Sequence, residues 1–136
     1  MPCPYFEPQQ ATHQPQHASA RLPLLDEYDG LCHATEEAAA VPGDVRFRCC
    51  NHGYSRGFCQ RLPALENLSG LRYSILRRTD ALLEVLCIEE QDYAPLRWHS
   101  IQYFFEGGRI EPEPLNLCIR AQVLAFCRSY LKRFVD

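Results

Sequence analysis

No stretch of this 136-residue chain approaches the roughly 18 consecutive apolar residues of a membrane-spanning helix. Positive charge is not in excess either. Fourteen basic residues meet 17 acidic ones, for a net charge of −3 and a pI near 5.9, a balance that argues against a protein whose main work is coating nucleic acid or anionic membrane. Lysine is almost missing, with Lys132 the single instance beside the arginines. Arginine geometry matters only where a carboxylate or phosphate is present to receive it, so the bias by itself assigns no function. The first twenty residues, rich in Pro, Gln, His and Ala, have neither the basic start nor the apolar run of a secretory signal. The expected location is therefore cytoplasmic, with no membrane partner. Phosphate-cradling glycine loops are absent as well: no Lys-Ser or Lys-Thr follows Gly107-Gly108, and Gly53 to Gly57 falls in a loop.

What the chain does have is eight cysteines. In an exported protein they would suggest four disulfides; without a signal they read as reduced thiols, free to act as ligands. No C-x-x-C pair is present, which removes the usual zinc knuckle. Position sorts the eight. Cys118 and Cys127 lie on the apolar stripe of a C-terminal helix, nine residues and so about 180° apart around its axis, and cannot share one metal. Cys87 falls within the apolar strand LLEVLCIEE. These three read as small core residues.

The other five, Cys3, Cys32, Cys49, Cys50 and Cys59, stand among turn formers, prolines and aromatics. Side chains of the adjacent pair Cys49-Cys50 should diverge, so that only one joins a shared centre. Cys3, Cys32, Cys50 and Cys59 are then separated by 28, 17 and 8 residues. An iron–sulfur cluster tolerates such dispersed ligands, because its iron corners can be reached from different loops. The neighbouring sequence suits a 4Fe-4S cluster: Gly53 and Gly57 permit close backbone approach, Tyr54 and Phe58 exclude water, and Arg56 offsets negative charge. Zinc is the alternative, with His33, His52 or Cys49 as substitute ligands.

The segment CCNHGYSRGFC, with CPYF near the start and the pair Cys32-His33, resembles small, uncharacterised bacterial proteins with four dispersed cysteines and a C-N-x-G-Y-x-R-G-x-C core. The resemblance covers mainly residues 1 to 63. It implies a ligand role, for iron–sulfur or zinc, at Cys3, Cys32, Cys50 and Cys59 and at no other cysteine. It implies no activity.

The expected fold is α+β within a single domain. Residues 1–70 read as a loop-rich, cysteine-bearing half. Within it, EEAAA forms a short helix capped by Thr35, and a turn or two opens at Pro63 and ends at Gly70. Residues 71–136 alternate as a three-stranded antiparallel β-meander. They close with a long amphipathic helix, from Leu115 to Phe134, that covers one sheet face. His99 alternates onto one sheet face with Ile101 and Tyr103, a structural placement, while Glu89, Glu90 and Asp92 read as a solvated rim. His13 and His17 belong to a linker. A Cys–His nucleophile, with Cys50 or Cys59 beside His52, His33 or His99, is a third reading that makes the chain a metal-free thiol enzyme. Arg77-Arg78 with Tyr73, or Arg128, Lys132 and Arg133, are the basic groups available to RNA, although a net acidic chain makes nucleic acid a poor partner. The leading expectation is a non-enzymatic metal-binding protein holding a structural or electron-transfer iron–sulfur cluster; a zinc-stabilised module for a protein or RNA partner is the alternative.

Overall fold

A computed structural model describes residues 2–13, 22–34, 37–51, 59, 70–91 and 94–134. It is an α+β structure of two antiparallel sheets and a long C-terminal helix. The second half follows its hydrophobic alternation. Leu71 and Tyr73 in β4 (Gly70–Arg78), Leu83, Val85 and Cys87 in β5 (Leu82–Gln91), and Ile101 and Tyr103 in β6 (Ala94–Phe104) all turn to one buried face. The β4–β5 turn is closed by Thr79, whose Oγ1 accepts from the amides of Ala81 at 3.2 Å and Leu82 at 3.1 Å.

The sheet has four strands rather than the expected three. Gly107 and Gly108, at φ +80° and +62°, make a left-handed turn that reverses the chain into β7 (Arg109–Glu111), seating Ile110 beside Tyr103. Glu89 and Glu90 are not a solvated rim. Both are buried at a register shift in β5, where Arg97 Nε lies 2.8 Å from Glu89 and Arg72 Nη2 lies 3.1 Å from Glu90. Buried carboxylates persist when each has a guanidinium partner; Asp92 lies outside the described residues. His99 stands opposite Cys87 on the Ile101 face and is partly exposed.

The larger correction concerns residues 1–70, which hold a sheet where loops were expected. β1 (Phe6–Ala11) pairs with β2 (Tyr28–Cys32), and β2 pairs with β3 (Ala39–Ala40). Ala39 and Ala40 are thus strand rather than the end of a helix, held by Cys32 and Leu31 across the ladder. The strand character of β1 is masked by Pro8, which sits beside a bulge between Pro8 and Gln10, where a missing amide is tolerated. Its partner is Gly30, at which a Cβ would meet the Glu7 carbonyl oxygen at 2.0 Å. A helical turn, α1 (Gly43–Val45), then runs into a π-helical segment, Arg46–Asn51. The helical turn expected from Pro63 lies outside the described residues.

The last helix, α2 (Leu117–Arg133), starts where Asn116 Oδ1 accepts from the amides of Cys118 and Ile119. Leu115 therefore precedes the helix and is fully exposed instead of joining its stripe. α2 does not simply cover the meander: it packs chiefly on β1 and reaches β4 and β5 more lightly. Arg133 fixes its far end, with Nη2 donating to Leu25 O and Asp26 Oδ1 at 2.7 Å each. At its centre is Gln122, completely buried, whose Nε2 donates to the carbonyls of Cys3 at 2.7 Å and Phe6 at 2.8 Å while Oε1 accepts from the Tyr73 hydroxyl at 3.0 Å. The Tyr73 ring stacks on Phe126 of the same helix, with centroids 5.8 Å apart. Residues of both sheets and α2 thereby share one buried cluster. No helix among the described residues is long and apolar enough to cross a membrane.

Replacing Gln122 by Leu strands the Phe6 carbonyl and the Tyr73 hydroxyl, each costing about 1–3 kcal/mol, and leaves the Cys3 carbonyl with the Phe6 amide alone. Urea denaturation of Gln122→Leu should show a loss of at least about 2 kcal/mol. A midpoint within error of the parent would contradict the bridging role.

Candidate metal centre

Three cysteines of the N-terminal half, Cys3, Cys32 and Cys50, are positioned by backbone bonds made by them or their neighbours. Cys3 begins a turn into β1: its carbonyl accepts from Phe6 N at 3.1 Å and its amide donates to Cys50 O at 3.1 Å. Cys32 ends β2, opposite Phe6 of β1 and Ala39 of β3. The following amide, that of His33, donates to Tyr5 O at 2.8 Å and draws the Cys3–Phe6 turn against it. Cys50 is set by its neighbour Asn51, which is 1% exposed. Asn51 Oδ1 accepts from Tyr28 N at 2.7 Å, and Nδ2 donates to Tyr28 O at 3.0 Å and Arg46 O at 3.1 Å. The side-chain amide imitates a strand partner for Tyr28, fastening the π-helical segment to the start of β2. The Tyr28 hydroxyl in turn donates to Ala125 O at 2.8 Å and meets Ser129 Oγ, fastening β2 to α2.

The structure brings Cys3, Cys32, Cys49, Cys50 and Cys59 around one narrow pocket, with a cavity volume of about 10 Å³, completed by Tyr5, Phe6 and Ala34. All four cysteines singled out from the sequence line it. So does Cys49, against the expectation that Cys49 and Cys50 diverge. The wide turn of a π-helix sets successive side chains closer in direction than a strand does, which lets both face the same space.

None of the lining residues is cationic, and two of the thiols, Cys49 and Cys50, resist ionisation. Burial, then the charges of Cys3, Cys32, Cys59 and Cys49, push the Cys50 thiol far above its ordinary value; burial and Cys59 raise Cys49. A group of soft sulfur donors with no cation beside them fits a centre that brings positive charge, since metal binding and thiol deprotonation are linked. Tyr5, Phe6 and Ala34 would shield such a centre from water.

Among the described residues, no group of three or more His, Cys, Asp or Glu is gathered tightly enough for a single ion. Tetrahedral zinc would require sulfurs only about 3.8 Å apart. His33 is adjacent to Cys32 in sequence but gives Nε2 to Glu7 Oε1 at 2.7 Å and is not among the lining residues. His52, Gly53, Tyr54, Arg56, Gly57 and Phe58 lie outside the described residues. No family model, curated protein or solved structure matches this chain. What the pocket can do follows from its own donors.

The three core cysteines are buried as their periodicity implied. Burial pushes the thiols of Cys87, Cys118 and Cys127 up to about 12, with Glu89 adding to the effect at Cys87 and Glu7, Cys3 and Cys32 adding to it at Cys118. Cys118 therefore lies near enough to the pocket to sense two of its thiols, a proximity that helical spacing could not reveal. The role of Asn51 was also missed; its position beside Cys50 was the one available signal. As nucleophiles the buried thiols are poorly placed, because Cys50 is driven toward its neutral form and His33 is occupied by Glu7. The basic groups offered to RNA are largely engaged: Arg77 with Glu84, Arg78 with Phe134 O, and Arg133 with Asp26.

Asn51→Ala should cost about 2 kcal/mol and loosen the link between Cys50 and β2, read as a lower urea midpoint and faster amide exchange at Tyr28. The core thiols set a pH dependence. Each is raised from 9.0 to about 12 in the folded chain, so the stability from keeping them neutral is complete below pH 9 and is lost as pH rises through 12. In reductant, urea midpoints should be flat from about pH 7 to 8.5 and fall steadily above that. Cys127→Ala should make the fall shallower, and a midpoint rising with pH would overturn the account.

Proposed function

We propose that the chain binds a four-cysteine iron–sulfur cluster, with Cys3, Cys32, Cys50 and Cys59 as ligands. The observation that carries this reading is the convergence of thiols from a terminal turn, a strand end, a π-helical segment and Cys59 on one pocket otherwise lined by Tyr5, Phe6 and Ala34. Sulfur donors that reach one pocket from separate elements suit a polynuclear centre, whose iron corners different segments can serve. A bound cluster supplies fixed iron–thiolate bonds and one-electron chemistry.

The chain's own residues do the rest. Asn51 and the Cys3–Cys50 backbone bond orient two ligands. Phe6, wholly buried, forms an apolar wall. The first role is structural: four bonds to metal would join β2, the π-helical segment and the Cys3 turn, in a half of the chain whose strands are short. Cys3, Cys32 and Cys50 are buried, while Cys49 and Cys59 remain partly exposed, leaving one side open for electron exchange with a protein partner.

Purification without oxygen, or reconstitution with ferrous iron and sulfide, should give a brown protein with broad visible absorption and about four iron and four sulfide per chain. Cys50→Ser should lose most of that absorption, whereas Cys127→Ser should keep it. A colourless protein with one zinc per chain would replace this reading with the zinc-stabilised interaction module, and a chain that takes up neither metal would sink both.

A further inference from the structure

A four-ligand cluster leaves one of the five pocket thiols over, and the five are not equivalent. Cys3, Cys32 and Cys50 are each less than 9% exposed, behind Phe6 and Tyr5. Cys49 and Cys59 are the two that solvent reaches, and both line the same pocket. They come from different points of the chain, with nine residues between them. Two exposed side chains on the wall of one pocket can be joined without opening its buried part, and the closed loop would be short.

We propose that Cys49 and Cys59 form a redox-active dithiol, oxidised by a peroxide to a disulfide. In the first step one thiol sulfur bonds to a peroxide oxygen, the O–O bond breaks, and the second oxygen leaves as water, or as an alcohol from an organic peroxide, carrying the thiol proton. The resulting sulfenic acid is attacked by the second thiol. The S–S bond forms, the sulfenic oxygen leaves as water, and the second thiol proton goes with it. Two electrons pass from the two thiols to one peroxide. The pocket floor is spared because Cys3, Cys32 and Cys50 are buried. The consequence for metal rests on the four-cysteine reading: a disulfide through Cys59 withdraws one ligand and leaves three, so peroxide would lower the chain's capacity to hold a cluster.

The test is on the full-length chain, purified reduced and without oxygen, treated with one equivalent of hydrogen peroxide. Remaining thiols are then alkylated and the chain is cut with trypsin. Cleavage after Arg48, Arg56 and Arg61 places Cys49 and Cys50 on one peptide and Cys59 on the next. The expected product is a cross-link between these two peptides that survives in Cys50→Ser and falls at least tenfold in Cys49→Ser. A cross-link unchanged in Cys49→Ser would overturn the assignment, as would a dominant disulfide through Cys3 or Cys32, or full alkylation of Cys59 after peroxide. Cys59→Ser provides a second variant, expected to leave Cys49 alkylated. The readout is a mass and does not depend on bound iron. Failure to bind iron would leave the cross-link standing, and absence of the cross-link would leave iron binding standing.

Discussion

The fold depends on one buried side-chain amide. Gln122 is the point at which a terminal turn, a strand and the last helix meet, and all its bonds are made to groups that water cannot reach. An amide suits this position because it offers donors to two carbonyls and an acceptor to one hydroxyl at the same time. An apolar residue could fill the volume, but the Phe6 carbonyl and the Tyr73 hydroxyl would then lose their partner in a region of low dielectric. Gln122 converts helix packing into a fixed location for Cys3. The thiol pocket is thus built by polar bonds made away from the sulfurs themselves.

A second amide, Asn51, does for Cys50 what Gln122 does for Cys3. Both act on main-chain atoms of the β1–β2 region or its entry turn, so two cysteines 47 positions apart are referred to the same small sheet. Cys32 belongs to that sheet directly. The frame is therefore rigid where the thiols are buried and less constrained at Cys49 and Cys59. This division matches the chemistry assigned to the two groups: stable coordination from the floor, exchange and oxidation at the mouth.

Much of this was legible in the residues, though unevenly. The alternation of Leu71, Tyr73 and Leu83, Val85, Cys87 reports sheet faces directly, and the apolar stripe from Cys118 to Cys127 reports a helix, though not its cap at Asn116. Local pattern is enough where each residue's neighbour decides its environment. The N-terminal sheet escaped because Pro8 and Gly30 are poor strand formers individually. They work only as a pair, Gly30 giving way to the backbone of β1 while Pro8 sits at a bulge. Burial of Glu89 and Glu90 depends on Arg97 and Arg72 from neighbouring strands, information that no window around residue 89 contains. The candidate ligands were readable by elimination, since Cys87, Cys118 and Cys127 had core explanations. Their common pocket, the inclusion of Cys49 and the bridging amides were not, because they arise from tertiary contacts.

The bond from Gln122 to the Cys3 carbonyl spans 119 positions of sequence. On a ribosome adding about 5–20 residues per second, the helix that holds Cys3 is made roughly ten seconds after Cys3 itself. The nascent chain accordingly exposes its first thiols for that whole interval with no finished pocket to receive them. Closure of the thiol pocket waits on synthesis of α2 and on whatever keeps those early thiols reduced until then.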